Sequence, residues 1–355
     1  MDNFQNKLHF DFKTNQQVLR LIGFIDSFKG KWNIVEQKEN IYLKELRKIA
    51  TIESIGSSTR IEGSQMTNKE IKELLDNMKI TKLDTRDQQE VVGYFDVLEI
   101  IYDSFSDIKL SKNYIQQLHQ RLLKYSTKDE RHRGNYKNLS NKVVANYPDG
   151  TQKVIFNTTE PHLVETEMND LIEWINQQFD QGEIHPLVLI GLFIYEFLSI
   201  HPFQDGNGRL SRLLTNLLLL KHGYQFVQYV SFENLIEQKK KLYYEALMDG
   251  QKNRYSDTEQ ISMWILFFLS SLETLIQRLD QKYDVFKTKG GYLNERQKLI
   301  KEFIEKKQPV KLGDLAQAMP DISINTLKKD LLYLKTEQII NSVGKNRGAI
   351  YMIKE

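Results

Sequence analysis

The chain has 355 residues, which is enough for two or three domains and a sizeable core. Its 49 Lys and Arg residues nearly balance 47 Asp and Glu residues, and the net charge of +2 argues against a protein that coats nucleic acid with its whole surface. The absence of cysteine excludes disulfides, thiolate metal sites and cysteine nucleophiles, and it fits a reducing compartment.

The amino terminus lacks the basic and then apolar pattern of a signal peptide. The most apolar runs, Leu187–Ile200 and Trp264–Leu269, are too short to span a bilayer. We therefore expect a cytoplasmic protein that is not inserted in a membrane.

Most of the sequence predicts helix, because the chain has only six prolines and long Leu, Ile, Glu, Lys and Gln segments at helical period. Residues 1–85 are predicted to form an N-terminal helical region with three helices between Thr14 and Met78. Two of these helices show apolar faces, made by Val18, Leu21, Ile22 and Ile25 and by Ile41, Leu43, Leu46 and Ile49.

A short string in this region, Ser58–Gly63, reads Ser-Thr-Arg-Ile-Glu-Gly. By itself, a Ser or Thr with a Glu nearby is usually a helix end with a solvated acid. The string alone therefore assigns no function.

Residues 86–285 are predicted to form the core of the protein. Helices are expected at 86–102 and 111–125, where the apolar positions recur at helical spacing. His119 lies on the second of these helices, and we interpret it as a packed or surface histidine instead of a ligand.

A hairpin interrupts the helical pattern over residues 143–156. Two β-prone triplets flank Tyr147–Gly150, whose Tyr-Pro-Asp-Gly sequence is a strong turn signal. This hairpin is either a surface loop with no role in function or part of a functional site.

The stretch from His201 to Arg212 reads His-Pro-Phe-Gln-Asp-Gly-Asn-Gly-Arg-Leu-Ser-Arg and joins two apolar helical runs. Catalytic groups are common on loops that a rigid scaffold holds. Residues Gly206–Gly208 can turn successive backbone N–H groups toward one point at the N-terminus of the next helix, where an anion is favoured. Arg209 and Arg212, three residues apart, are predicted to share a face and to reach the same anion.

Two more side chains of this loop are a candidate metal ligand and a candidate base. Asp205 is a lone carboxylate, and Mg²⁺ on a nucleotide needs only one or two carboxylates beside phosphates and water. His201 stands at the loop entrance and can take a proton near neutral pH. The pattern predicts a phosphate-transfer site with a histidine base. The alternative is a plain helix–loop–helix turn with glycines for geometry and arginines on a solvated face.

This stretch resembles the signature of the Fic family, His-Pro-Phe-x-Asp/Glu-Gly-Asn-Gly-Arg-x-x-Arg, at every fixed position. Members of that family transfer AMP from ATP to a hydroxyl of a protein. The resemblance implies that His201 deprotonates the target hydroxyl and that Asp205 holds Mg²⁺.

The resemblance also implies which residues hold the phosphates. Gly206, Asn207 and Gly208 would cradle them, with Arg209 and Arg212 on the β- and γ-phosphates. The related Doc-type kinases carry Lys at the position of Gly208, so the match is to AMP transferases.

Beside this signature, Ser58–Gly63 resembles the inhibitory motif of the family, Ser/Thr-x-x-x-Glu-Gly/Asn. The resemblance implies that Glu62 pairs with Arg212 and blocks productive placement of the γ-phosphate. A carboxylate offers Arg212 the same bidentate partner as a phosphate. The place of the motif before the core marks the subclass that an N-terminal helix of the same chain inhibits.

Two further elements gain a meaning from the resemblance. The hairpin at 143–156 stands where the family carries a flap, whose edge strand can pair with an extended target segment. Tyr243 and Tyr244, on a later helix, stand where related sequences often have an aromatic pair near the adenine base. A tyrosine pair at this spacing is also common in a core.

Residues 292–355 are predicted to form a second domain after a Gly-Gly linker at 286–292. Three helices and a hairpin at 343–353 resemble a winged helix-turn-helix. From Gly291 onward the chain has 12 Lys or Arg and 8 Asp or Glu residues, a balance that does not decide between DNA and protein contacts. The basic residues that would serve a duplex are Lys328, Lys329, Lys345 and Arg347.

The sequence thus predicts a mainly α protein: a Fic-type helical core with a hairpin flap and a winged-helix-like C-terminal domain. The expected function is transfer of AMP from ATP, with Mg²⁺, to a Ser, Thr or Tyr hydroxyl of a target protein or of the chain itself, inhibited by Glu62. Three alternatives stay open: removal of AMP, transfer of another nucleotide or of phosphocholine, and a nucleotide-sensing DNA-binding regulator. A homodimer is also left open, because many relatives self-associate.

Overall fold

The computed structural model describes residues 2–36, 41–78, 82–146, 152–288, 293, 295–336, 339–344 and 348–354. Within these residues the chain is mainly helical, as predicted, with two small antiparallel sheets. Its contacts divide it into two units, Met1–Glu39 with Leu46–Leu279 and Asn40–Glu45 with Asp280–Glu355. The boundary predicted at residue 85 falls inside the first unit. No described helix is long and apolar enough to cross a membrane.

Twelve helices precede residue 289 in the described part of the chain. They are α1 (Asp2–Asn6), α2 (Phe12–Glu36), α3 (Ile41–Ile61), α4 (Asn68–Asp76), α5 (Arg86–Ser104), α6 (Lys112–Leu122), α7 (Pro161–Gln181), α8 (Pro186–Ile200), α9 (Asn207–Lys221), α10 (Phe232–Gln238), α11 (Lys240–Gln251) and α12 (Ser262–Thr288). A 3₁₀ helix at Gln225–Tyr229 follows α9.

Several helices begin where the sequence offers a cap. The hydroxyls of Thr67, Thr85 and Ser111 accept hydrogen bonds from backbone N–H groups in the first turns of α4, α5 and α6. Helices α7 and α8 begin with proline, whose missing N–H costs nothing at that position. The local sequence therefore determines these boundaries.

The three helices predicted between Thr14 and Met78 are α2, α3 and α4, but one position of the predicted apolar face is wrong. Ile49 is 41% exposed, whereas Leu46 and Ala50 are each 1% exposed. The buried seam of α3 runs from Leu46 to Ala50, one turn apart, so Ile49 falls at its edge and faces solvent.

Helix α8 forms the centre of the first unit, and every residue from Leu187 to Ile200 is buried. It packs against α7 and α9, and α9 is itself buried over most of its length. A β-carbon at Gly191 would lie only 2.8 Å from Ile265 on α12, and the Trp264 indole donates a 2.7 Å hydrogen bond to the Gly191 carbonyl. This packing leaves the loop between α8 and α9 fixed at both ends.

The hairpin consists of β1 (Lys142–Asn146) and β2 (Gln152–Asn157). The two strands pair antiparallel, with Lys142 opposite Asn157 and Asn146 opposite Gln152, and the register shifts between Val143 and Val144. The turn predicted at 147–150 lies outside the described residues.

The second unit contains the predicted helices and hairpin. Its elements after residue 289 are α13 (Glu295–Lys307), β3 (Val310–Lys311), α14 (Leu312–Ala318), α15 (Ile324–Thr336), β4 (Ile340–Val343) and β5 (Ile350–Ile353). The strand order is β3-β5-β4, and the short β3 was not predicted. A core around Ile300, Ile304, Leu327 and Leu331 holds these elements together.

Three details of this unit differ from the sequence expectation or lie beyond it. The predicted linker at 286–292 begins inside a helix, because α12 continues to Thr288. Helix α15 ends at Thr336, and β4 begins at Ile340, three residues before the start of the predicted hairpin at 343. The exposed Lys328 and Lys329 lie on α15, but Lys345 and Arg347 lie outside the described residues, so DNA binding stays a prediction.

Candidate active site

Two left-handed residues shape the loop between α8 and α9. His201 follows the last residue of α8 with φ 54° and ψ 61°, a conformation that few non-glycine residues adopt. Gly206 precedes α9 with φ 80°, where glycine avoids the steric penalty of a side chain. The chain thus turns twice within six residues, and the N-terminus of α9 comes to face His201.

The His201 ring is oriented by its own helix. Its Nδ1 lies 3.2 Å from the Leu198 carbonyl, which can only accept, so Nδ1 carries the proton and Nε2 keeps a free lone pair. Burial lowers the pKa of His201 to about 4, although the Leu198 carbonyl raises it. The side chain is therefore a neutral base at physiological pH.

The Asn207 side chain closes the loop on itself. Its Oδ1 accepts from the Phe203 N–H at 2.9 Å, and its Nδ2 donates to the Phe203 carbonyl at 2.7 Å. The amide oxygen and one amide N–H are used by the backbone of Phe203, and the backbone N–H of Asn207 lies in the first turn of α9, where an anion is favoured.

Asp205 is ionised and held by cations. Burial raises its pKa, but Arg209, the Gly206 N–H, Arg86 and Lys128 together bring it below the ordinary value. Oδ1 accepts from the Gly206 N–H at 2.5 Å and from Arg209 at 3.1 Å. Oδ2 lies 3.6 Å from Arg86 and 3.9 Å from Lys128.

These contacts test whether the loop fits a divalent cation. The described residues hold no group of three or more His, Asp or Glu side chains that could bind a metal by themselves. Asp205 is 28% exposed, and its Oδ2 faces the cationic side chains of Arg86 and Lys128, which are 55% and 66% exposed. One accessible carboxylate oxygen fits Mg²⁺ only when the nucleotide phosphates and water supply the remaining ligands.

Arg212 lines the cavity described below and Arg209 does not, so contact of both arginines with one anion stays a prediction. The Arg209 side chain is 1% exposed, and its guanidinium lies 3.3 Å from the Glu90 carboxylate on α5 and 3.1 Å from Asp205. The Arg209 guanidinium is thus held between a buried acid of a neighbouring helix and the loop carboxylate. Its charge still acts on the site, because it lowers the pKa of Asp205.

Arg212 does meet the motif on α3. Its Nε donates to the Ser58 hydroxyl at 2.8 Å, and one terminal nitrogen donates to the Ser58 carbonyl at 3.0 Å and to the Glu62 carboxylate at 2.7 Å. The Arg212 side chain is 3% exposed and that of Glu62 is 33% exposed. Burial raises the pKa of Glu62, but Arg212 outweighs it and the pKa is lowered.

Glu62 also lies directly against the backbone of the loop. A β-carbon at Gly208 would stand 2.3 Å from Glu62 Oε1 and 3.3 Å from the Arg212 guanidinium. The carboxylate thus sits at the N-terminus of α9, where the helix dipole and free N–H groups favour an anion.

These residues line a single cavity of about 270 Å³. His201, Asp205, Asn207, Gly208 and Arg212 line it together with Glu62. The tyrosines singled out from the sequence also line it, since Tyr243 and Tyr244 pack edge to face at one side, 4% and 9% exposed. The remaining lining residues are Lys142, Val143, Val144, Leu198, Gln204, Gly206 and Leu247.

Lys137 is one site residue that sequence reasoning missed. Its Nζ donates to the Ile200 carbonyl at 3.2 Å, to Asn141 Oδ1 at 2.8 Å and to the Thr158 hydroxyl at 2.7 Å. Burial lowers its pKa to about 8. Lys137 therefore ties both ends of the hairpin to the residue before His201. No local signal in the sequence distinguishes it from a surface lysine.

Comparisons with known proteins agree with this geometry. Residues 109–219 match the model of the Fic/DOC family. A Fido domain-containing protein of Dictyostelium discoideum is 35% identical over 106 residues, which cover 30% of this chain and 71% of that protein. The protein adenylyltransferase Fic of Drosophila willistoni is 28% identical over 207 residues, 58% of this chain and 39% of that protein. The matched region thus spans well under half the length of the Drosophila relative.

Solved structures extend the likeness beyond the matched region. A Fic family protein from Desulfovibrio desulfuricans G20 superposes with a TM-score of 0.65 at 21% identity, over 95% of this chain and 96% of that one. A Fic domain-containing signaling protein from Bacteroides thetaiotaomicron superposes with a TM-score of 0.57 at 22% identity. The chain belongs to the Fic/DOC family.

Proposed function

We propose that the protein transfers AMP from ATP to a Ser, Thr or Tyr hydroxyl of a protein, and that Glu62 inhibits this transfer. The observation that carries the proposal is the position of the Glu62 carboxylate. It lies at the N-terminus of α9, bound to Arg212 at 2.7 Å, in the cavity that His201 also lines. A carboxylate in that position stands in for a phosphate group.

In the proposed reaction the target hydroxyl oxygen attacks the α-phosphorus of ATP. The new oxygen–phosphorus bond forms as the bond from the α-phosphorus to the bridging oxygen breaks, and pyrophosphate leaves with that oxygen. His201 Nε2 accepts the hydroxyl proton, because its Nδ1 is already protonated and bound to Leu198. The neutral state of His201 supports this role at physiological pH.

The loop supplies the electrostatic part of catalysis. Free backbone N–H groups at the start of α9 and the Arg212 guanidinium face the phosphates once Glu62 has left. Arg209 contributes indirectly, because its positive charge lowers the pKa of Asp205 and so keeps that carboxylate ionised. Asp205 would hold Mg²⁺, which neutralises phosphate charge when it is bound.

The target segment is proposed to dock on the hairpin at 143–156. Among the described residues β1 and β2 pair only with each other, so an extended segment can add to an edge. Lys137 fixes this hairpin next to Ile200. A docked hydroxyl would thereby be held near His201.

The test uses purified protein, Mg²⁺ and ATP labelled on the α-phosphate, followed by a gel for label on protein. The variants are the parent, Glu62→Gly, Glu62→Gln as a matched change that removes only the charge, and Glu62→Gly with His201→Ala. We expect strong labelling with Glu62→Gly, weaker labelling with Glu62→Gln, and none once His201 is replaced.

The comparison with the double variant shows whether label depends on the proposed base. If Glu62→Gly carries no label in the presence of a cell lysate, the proposal of AMP transfer that Glu62 inhibits is overturned. Release of AMP from a premodified protein, or labelling by another nucleotide, would then identify the reaction.

A further inference from the structure

His119 on α6 lies under the active-site loop and is fully buried. Its ring stacks on Phe203 with the ring centres 3.7 Å apart and the planes 13° apart. The site residues described above do not include it, and it does not line the cavity. A buried imidazole in van der Waals contact with this loop requires an explanation, because its two nitrogens need partners.

Both nitrogens are used, and their partners determine the tautomer. Nδ1 accepts a 2.9 Å hydrogen bond from the Gly134 N–H, so it cannot carry a proton. The proton is therefore on Nε2, which donates to the Asp205 backbone carbonyl at 2.9 Å. Burial lowers the pKa of His119 to about 4, which keeps this neutral form at physiological pH.

The bond to Asp205 falls at the point where the loop turns into α9. Gly206 follows in the left-handed conformation, and its N–H binds the Asp205 carboxylate. A β-carbon at Gly206 would lie 3.4 Å from His119 Nε2, so the ring lies within van der Waals range of the space beside Gly206. The other partner of the ring, Gly134, follows Lys128 in the chain, and the Lys128 amino group lies 3.9 Å from the Asp205 carboxylate.

We infer that His119 is a positioning residue, which fixes Asp205 and the N-terminus of α9 through its Nε2–H bond to the Asp205 carbonyl. The inference rests on the proposed function, since it concerns the nucleotide end of that site. His201 is oriented separately, by Leu198. Loss of the His119 bond should therefore weaken nucleotide binding more than it slows proton transfer.

Two substitutions separate the two hydrogen bonds. In the Glu62→Gly background, His119→Gln keeps a donor near the position of Nε2 and loses the acceptor for Gly134, whereas His119→Asn keeps an acceptor near Nδ1 and loses the donor. His119→Phe keeps the ring and loses both bonds. His222→Phe is the control, because His222 is another histidine packed on an aromatic ring, Phe179, and lies after the far end of α9.

The readouts are ATP affinity by calorimetry with and without Mg²⁺, thermal unfolding, and the split between KM and kcat for labelling. We expect His119→Asn and His119→Phe to weaken Mg·ATP binding about ten- to hundredfold, as loss of an outer partner of a ligand typically does. His119→Gln should stay within about threefold of its parent, since it keeps the donor to the Asp205 carbonyl and loses only the bond to Gly134, which is not part of the site. Nitrogen-15 NMR should show the Nε2–H tautomer for His119.

Equal ATP affinity for Gln, Asn and His222→Phe variants would overturn the inference, and so would an Nδ1–H tautomer. A general loss of thermal stability that accompanies every loss of affinity would mean that His119 only supports the fold. If no variant labels protein while ATP affinity follows the expected order, the proposed reaction fails and the positioning role stands.

Discussion

The Glu62 carboxylate binds the Arg212 guanidinium at 2.7 Å across 150 residues of sequence, and the same carboxylate touches the backbone of Gly208. An arginine that is 3% exposed needs an anionic partner, and it finds one in the protein itself. A nucleotide phosphate at this position must displace the carboxylate. The proposed inhibition by Glu62 and the proposed binding of the nucleotide are therefore linked through one guanidinium.

The first prediction concerns nucleotide affinity. Glu62→Gly should bind ATP about ten- to hundredfold more tightly than the parent, because a hydrogen bond to a charged group is worth about 1.5–3 kcal/mol and that bond no longer competes. Glu62→Gln should fall between them. AMP, which lacks the outer phosphates, serves as the control ligand, and its affinity should change little. Calorimetry measures both, and an equal gain for AMP and ATP would place the competition elsewhere.

The second prediction concerns the contact between Glu62 and Gly208. Gly208→Ala should destabilise the parent, because its β-carbon would stand 2.3 Å from Glu62 Oε1. In the Glu62→Gly background the same substitution should cost much less free energy of unfolding. A double-mutant cycle by denaturant unfolding measures the coupling, for which residues in direct contact typically give about 0.5–3 kcal/mol. Additive effects would contradict the contact.

The third prediction concerns pH. Burial lowers the pKa of His201 to about 4, so the base stays unprotonated as the pH falls through its ordinary value of 6.5. The kcat/KM of Glu62→Gly should therefore hold nearly constant between about pH 8 and about pH 6 and decline on approach to pH 4. ATP affinity at each pH separates ionisation of the nucleotide from that of the enzyme. A midpoint near 6.5 would show that His201 titrates as an ordinary histidine.

The sequence predicted the site where its chemistry is local, and it gave no sign of the contacts that a neighbouring helix makes with the site. The loop from His201 to Arg212 and the distant Glu62 were identified from two short motifs, and the structure brings them into one cavity. Helical spacing predicted that Arg209 reaches the phosphates, but it did not predict the ion pair of Arg209 with Glu90 on α5. That acid looks like any helical glutamate in the sequence, because only the tertiary packing buries it.

His119 shows how far local pattern reaches. It falls on the apolar stripe of α6 with Ile115, Leu118 and Leu122, so its burial could be read from spacing. Its hydrogen-bond partners, Asp205 and Gly134, could not be predicted from spacing, since both bonds involve backbone atoms of other segments. Backbone partners carry no residue-type signal.

The last prediction concerns how the end of α3 is held in place. Arg60, two residues before Glu62, donates to both carboxylate oxygens of Glu237 at 2.7 and 3.0 Å. Lys240 donates to the Ile61 carbonyl at 3.0 Å. Glu237→Gln should loosen this end of α3 and raise labelling with Glu62 intact, by about two- to tenfold, because a partly exposed bidentate pair is worth about 1 kcal/mol.

Two comparisons make this result specific to Glu62. Glu245→Gln removes a carboxylate from α11 that pairs with Lys241 and leaves α3 untouched, so labelling should stay at the parental level. Glu237→Gln combined with Glu62→Gly should label no more strongly than Glu62→Gly alone, because the inhibitory carboxylate that Glu237 helps to position is already absent. A further increase in the double variant would mean that Glu237 acts on catalysis by a route that does not pass through Glu62.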